Sequence, residues 1–193
     1  MDLWSGRQNI IANSWSLSVT EKQPTTLKSA SENDFPKRNR NQLTIYYFAY
    51  GSNLWIEQMV RRIGPVDRSD GWPRRVSLAG YRLVFDMQGE DGNVYANIEP
   101  KTESNVLGVV YRCTPEALQI MDQYESGYER RQVSVISENG ERLDVTTYVA
   151  LTDHVTSVGN LPTNEYLKRI VTGATEQGLP EAYIREIERQ LHK

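Results

Sequence analysis

The sequence predicts an α+β fold built on a curved, mainly antiparallel sheet or small barrel. Three features lead to that expectation. Strand-like segments dominate the middle of the chain, helical spacing dominates its end, and Asn139-Gly140 marks a tight hairpin between two of the strands. The strand-helix-strand-strand start does not continue as a repeating βαβ wheel.

Folded sequence is expected from Leu43 onward. Residues 44–50 are β-branched and aromatic and read as a buried strand. That strand ends in Tyr50-Gly51-Ser52-Asn53, after which Leu54, Met59 and Ile63 recur at helical spacing. Residues 76–86, 94–98 and 106–112 read as three further strands. Thr114-Pro115 opens a second helix, with Thr114 as N-cap and Pro115 at the first position, where its missing N–H costs nothing. Residues 131–137 and 143–151 form the hairpin about Asn139-Gly140. A helix over 163–177 is stopped by Gly178 and Pro180, and another covers 181–191. Ahead of all these, residues 1–42 are rich in Ser, Asn, Thr, Lys and Arg and show no sustained period. The expected organisation is therefore a polar, disordered tail over 1–42 and one domain over 43–193.

Composition narrows the chemistry. Net charge is −3 with both signs mixed along the chain, so there is no electrostatic footprint for nucleic acid or an anionic membrane. No apolar run approaches the roughly 20 residues of a membrane span, and no secretory signal is expected. A single cysteine, Cys113, cannot form an internal disulfide; a reducing, cytoplasmic setting is expected. The two histidines, His154 and His192, stand far apart. With no His pair at helical spacing and no Cys pair at zinc spacing, no metal site and no cofactor are expected. His154 lies in a Thr-Asp-His-Val stretch and reads as a solvated loop residue. The chemistry falls to carboxylates, hydroxyls and backbone dipoles.

Two places can carry it. The turn at Gly51-Ser52-Asn53 combines a glycine, which lets a ligand approach the backbone, with two good N-cap residues at a helix start that favours anions. In the helix opened by Thr114, Ala117, Ile120, Met121 and Tyr124 mark the core face, and Glu125 borders it. Position beside apolar surface and at a helix C-terminus would both raise the pKa of Glu125, as a general base working near neutral pH requires. Read alone, each feature also fits a plainer role, an ordinary capped turn and a solvated surface glutamate. Tyr128 adds an aromatic close to Glu125, and Tyr166, near the start of the penultimate helix, reads most simply as a packing residue.

Taken together the pieces resemble the γ-glutamylcyclotransferase-like family, which includes the AIG2-like proteins. The resemblance is carried by Tyr47-Phe48-Ala49-Tyr50-Gly51-Ser52-Asn53-Leu54, Leu78-Ala79-Gly80-Tyr81-Arg82-Leu83, Ala96-Asn97-Ile98, Gly108-Val109-Val110-Tyr111 and Met121-Asp122-Gln123-Tyr124-Glu125. It continues through Tyr166-Leu167-Lys168-Arg169-Ile170 and Gly173-Ala174 to Gly178-Leu179-Pro180, where it is nearest to the γ-glutamylcyclotransferases proper. The family implies a small mixed, mainly antiparallel β-barrel with flanking helices and a pocket at one end. Carried over by position, its substrate loop falls on Tyr47, Phe48, Ala49, Tyr50, Gly51, Ser52 and Asn53. Its catalytic glutamate falls on Glu125, and its pocket tyrosine on Tyr166, with Tyr128 beside the site. The implied reaction is cyclisation of a small-molecule γ-glutamyl substrate, most simply a γ-glutamyl-amino acid, to 5-oxoproline and a free amino acid, without cofactor, nucleic acid or membrane. Ser126-Gly127-Tyr128 follows Glu125 at once, a shorter loop than family members often have, and it bears on the leaving-group side of the pocket. Two other readings stay open: a same-fold enzyme acting on γ-glutamyl-amines or a secondary metabolite, and a non-catalytic ligand-binding member. A homodimer is compatible with the sequence, which does not decide the oligomeric state.

Overall fold

Strand β1 (Ile45–Ala49) is buried at Tyr47, Phe48 and Ala49, and its two neighbours define the topology. It pairs antiparallel with β3 on one side and parallel with β5 on the other, where Tyr47 lies opposite Thr146. The computed structural model describes residues 43–156 and 161–189. From β1 the chain passes through a 3₁₀ turn (Ser52–Leu54) into α1 (Ile56–Ile63), then β2 (Arg74–Gln88) and β3 (Val94–Cys113). Helix α2 (Pro115–Asp122) leads to β4 (Tyr128–Ser137), β5 (Arg142–Ala150), a second 3₁₀ turn (Thr152–His154), α3 (Asn164–Glu176) and α4 (Glu181–Arg189). The strands close a barrel in the order β1-β3-β2-β4-β5. The parallel β1–β5 contact makes it mixed, and every other pairing is antiparallel. The predicted α+β barrel with flanking helices is therefore the observed fold. The strand order closes on itself through the Tyr47–Thr146 pairing, and side chains from all five strands contribute to one buried cluster.

Three details differ from the sequence reading. The strands expected over 94–98 and 106–112 are one strand, because β2 pairs with both stretches. Ala79 lies opposite Asn105 and Tyr81 opposite Pro100, so the polar residues between Pro100 and Asn105 form a bulge, with Glu103 at φ +60°. The first helix begins at Ile56, and neither Ser52 nor Asn53 caps it by its side chain. Thr114 does cap α2, accepting from the Ala117 N–H, but the buried face of that helix is Leu118 and Met121. Ile120 and Tyr124 are 41% and 50% exposed; Tyr124 lies beyond the end of the helix at Asp122. The tail over 1–42 and the last two residues of the helix expected to Leu191 lie outside the described residues.

One close approach fixes the position of the 3₁₀ turn. Gly173, in the middle of α3, lies so near the turn that a Cβ there would be 2.3 Å from the Trp55 nitrogen and 2.5 Å from the Leu54 carbonyl carbon. Alanine normally gains about 1 kcal/mol over glycine inside a helix. Here overpacking against backbone, typically about 1–3 kcal/mol, opposes that gain. Gly173→Ala is therefore expected to melt several degrees lower than the parent, at roughly 2–4 °C per kcal/mol for a domain of this size. An equal or higher Tm would show that the contact has slack.

Candidate active site

The short segment after α2 decides where Glu125 goes. The Glu125 N–H donates to the Asp122 carbonyl at 3.2 Å, and the Tyr128 N–H donates to the Glu125 carbonyl at 3.1 Å, a tight turn. Gly127 holds that turn at φ +81°, with Met87 and His154 so close that a Cβ would meet them at 2.5 and 2.8 Å. Glu125 thereby continues the line of Leu118 and Met121 into the molecule, leaving its side chain only 12% exposed.

There it meets the loop after β1. The Asn53 amide donates from Nδ2 to Glu125 Oε1 at 2.9 Å and to the Tyr47 hydroxyl at 2.7 Å. Its Oδ1 accepts from Gln58 Nε2 at 3.0 Å and from an Arg62 guanidinium nitrogen at 2.9 Å. The same Arg62 nitrogen donates to Glu125 Oε1 at 2.9 Å. Gln58 also donates to Ser52 Oγ at 2.8 Å. On the far wall, the Tyr166 hydroxyl accepts from the Ala96 N–H at 3.1 Å, and the Tyr128 hydroxyl donates to the Ala96 carbonyl at 2.7 Å. Between these walls lies a small cleft, lined by Gly51, Ser52, Ala96 and the tyrosines around Glu125.

Burial, the largest influence, pushes the Glu125 carboxyl up to about 7, against the Arg62 charge and the Asn53 hydrogen bond, which pull it down. The phenols around it stay neutral. Burial raises Tyr47, Tyr50 and Tyr128 well above the usual tyrosine range and Tyr166 to about 12. Glu125 is the cleft group poised to exchange a proton near neutral pH.

Of the residues singled out from the sequence, Glu125 and the tyrosines Tyr47, Tyr50, Tyr128 and Tyr166 line this cleft, as do Gly51, Ser52 and Asn53. Phe48 and Ala49 do not. They are buried core residues, Phe48 fully so, and a Cβ on Gly108 of the adjacent strand would lie 2.2 Å from the Ala49 carbonyl oxygen. Gly51 has φ −106°, so its value is space and not a left-handed backbone. A Cβ there would lie 3.3 Å from the Ala96 Cβ and 3.4 Å from the Tyr166 hydroxyl, at the edge of the cleft. The helix-end argument for Glu125 also gives way to burial, since α2 ends three residues earlier. His154 is in a 3₁₀ turn with Nδ1 3.3 Å from the Gln88 carbonyl, away from the cleft lining. Arg62, Gln58 and Tyr148 went unread. Arg62 and Gln58 share the α1 face that Met59 only partly marks, and the spacing from Asn53 to Gln58 and Arg62 is the available signal.

A closed five-stranded barrel with this cleft at one end is the γ-glutamylcyclotransferase-like fold. A solved γ-glutamyl cyclotransferase superposes with a TM-score of 0.65 over 76% of this chain and 87% of its own, at 24% identity. A human protein described as uncharacterised gives 0.63 at 26% identity, covering 75% and 86%. The AIG2-like family model matches residues 105–187. Human γ-glutamylcyclotransferase is 30% identical over 146 residues, 71% of this chain and 73% of that protein, and the bovine protein 28% identical over 160 residues, 78% and 80%. The chain belongs to the γ-glutamylcyclotransferase family.

The raised carboxyl has a thermodynamic signature. Its native pKa of about 7 lies above the unfolded value of about 4.3. The native state then keeps a proton that the unfolded chain releases. The stability this contributes is full below about pH 4 and is lost as pH rises through about 7. Glu125→Gln cannot titrate there. In urea melts, the stability of the parent minus that of the variant is expected to fall by roughly 2–3 kcal/mol between about pH 5 and 8. A flat difference would place the Glu125 carboxyl in its ordinary range.

Proposed function

We propose that this protein cyclises γ-glutamyl-amino acids to 5-oxoproline and a free amino acid, with Glu125 moving the protons. The observation that carries the reading is a buried carboxylate poised near neutral pH, held by its Oε1 beside an open cleft. The family membership and relatives named γ-glutamylcyclotransferase supply the reaction class.

In the proposed sequence the substrate's α-ammonium gives a proton to Glu125. The freed amine attacks the substrate's own γ-carbonyl, forming the ring C–N bond and a tetrahedral oxyanion. As that intermediate collapses, the original amide C–N bond breaks. The leaving nitrogen takes the proton held by Glu125 together with the second proton that the ring nitrogen sheds, and the products are a neutral lactam N–H and an ammonium group. Atoms balance with no co-reactant, and the carboxylate ends as it began. Folding the substrate so that amine and carbonyl meet makes the step unimolecular, an advantage worth as much as about 7–11 kcal/mol when alignment is good. The oxyanion falls to the N–H groups at Gly51 and Ser52. A three-residue 3₁₀ turn does not consume its own first N–H groups. One preorganised donor of this kind is worth about 3–4 kcal/mol. The neutral tyrosines give the cleft hydrogen-bonding walls without a competing charge.

The test is a panel of γ-glutamyl-amino acids and γ-glutamyl-amines with 5-oxoproline as the measured product. Activity is expected on the amino-acid members. In Glu125→Gln, which keeps the size but cannot accept the proton, kcat on the best substrate is expected to fall about 10²–10⁴-fold. A variant retaining more than about a tenth of the parent kcat would remove Glu125 from the role of base, because general-base catalysis accounts for at least about 10²-fold.

A further inference from the structure

The two bonds that hold the Glu125 carboxylate end on the same oxygen. Asn53 Nδ2 and the Arg62 guanidinium both donate to Oε1, each at 2.9 Å, and Oε2 accepts from none of the described residues. A proton cannot enter at Oε1 without displacing a donor. The Arg62 nitrogen in turn bridges Oε1 and Asn53 Oδ1, so one cation fixes both members of the pair. Its side chain is only 20% exposed, and Tyr124 covers the guanidinium with its ring centroid 5.0 Å away. Water therefore screens the contact poorly, and the cation has little freedom to leave.

We propose that Arg62 is the positioning residue of this site: it locks Glu125 by Oε1, directs the exchanged proton to Oε2, and sets the pH at which the carboxylate works. The proposal rests on Glu125 as the proton carrier, and its test reads the carboxyl itself. The surroundings leave this role to Arg62. Helix α1 presents Arg62; β1 and the residue after it present Tyr47 and Tyr50; β4 presents Tyr128; and α3 presents Tyr166. These phenols are neutral. The end of α2 contributes Asp122, which opposes ionisation of Glu125 and is itself bonded to Arg130 and to the Tyr148 hydroxyl. Arg62 is the cation that counters burial, and without it the carboxyl would stay protonated well above neutrality.

The experiment is a carbon-13 NMR titration of the protein labelled at the glutamate carboxyl carbon, with the Glu125 signal assigned by its loss in Glu125→Gln. In Arg62→Met the midpoint is expected to rise by about 1–3 pH units, the usual effect of removing an opposite charge at this distance. Arg62→Gln, which can still donate to Asn53, is expected to move it in the same direction. Arg62→Lys keeps the charge and is expected to bring the midpoint back to near that of the parent. The acid limb of kcat/KM should follow the NMR midpoint in each variant. An unmoved midpoint in folded Arg62→Met and Arg62→Gln would overturn the proposal, and a raised KM alongside it would assign Arg62 to substrate binding instead. Since the midpoint is read without substrate, failure of the cyclisation reading would appear separately, as absent 5-oxoproline in the parent protein.

Discussion

The Asn53 side chain has two donor hydrogens and two acceptor lone pairs, and each meets a partner, the four being drawn from three parts of the chain. Tyr47 comes from β1, Gln58 and Arg62 from α1, and Glu125 from the turn after α2. The orientation of the amide follows from chemistry. Arginine can only donate, and an ionised carboxylate can only accept, so the oxygen must face Arg62 and the nitrogen must face Glu125. A buried amide with every position in use is costly to disturb, since each partner left unpaired costs about 1–3 kcal/mol. The strand, the helix and the turn that carries Glu125 are in this way tied to one point. Even the backbone of Asn53 is held, its carbonyl accepting from the Tyr111 hydroxyl at 3.1 Å.

That arrangement sets two forces on Glu125 against each other. Burial alone would keep the carboxyl protonated and useless as a base in neutral solution. A close, exposed ion pair with arginine would hold it ionised at all working pH, with little drive to take a proton. The site combines nearly complete burial with one bridging cation, and the balance falls at about 7. The cost appears in stability, because the folded protein must keep a titrating acid inside.

The barrel was legible in the sequence because closure depends on patterns that survive in one dimension. The apolar run of β1, the Thr114-Pro115 helix start, the Asn139-Gly140 hairpin and the Gly178 stop all announce themselves locally. The single long β3 was not legible, since the polar residues after Pro100 look like a loop until β2 is seen pairing on both sides of them. Glu125 and the Gly51-Ser52-Asn53 turn, singled out in the sequence, line one cleft, but the structure revises the reasons for choosing them. Neither side chain of Ser52 and Asn53 caps a helix by its side chain, and the pKa of Glu125 is raised by burial and not by a helix end. Arg62 was missed because it lies among charged residues on a helix whose other arginine, Arg61, pairs with exposed Glu57. Only the fold shows which of two adjacent arginines turns inward.

The central claim is that a carboxyl balanced between burial and Arg62 does the proton transfer. The pH dependence of kcat/KM for 5-oxoproline release from a γ-glutamyl-amino acid tests it most directly, since its acid limb reports ionisation of the free enzyme's base. The account predicts that activity rises with pH through a midpoint near 7, where burial has moved Glu125. Full activity persisting down to about pH 5, the region of an ordinary carboxylate, would contradict it.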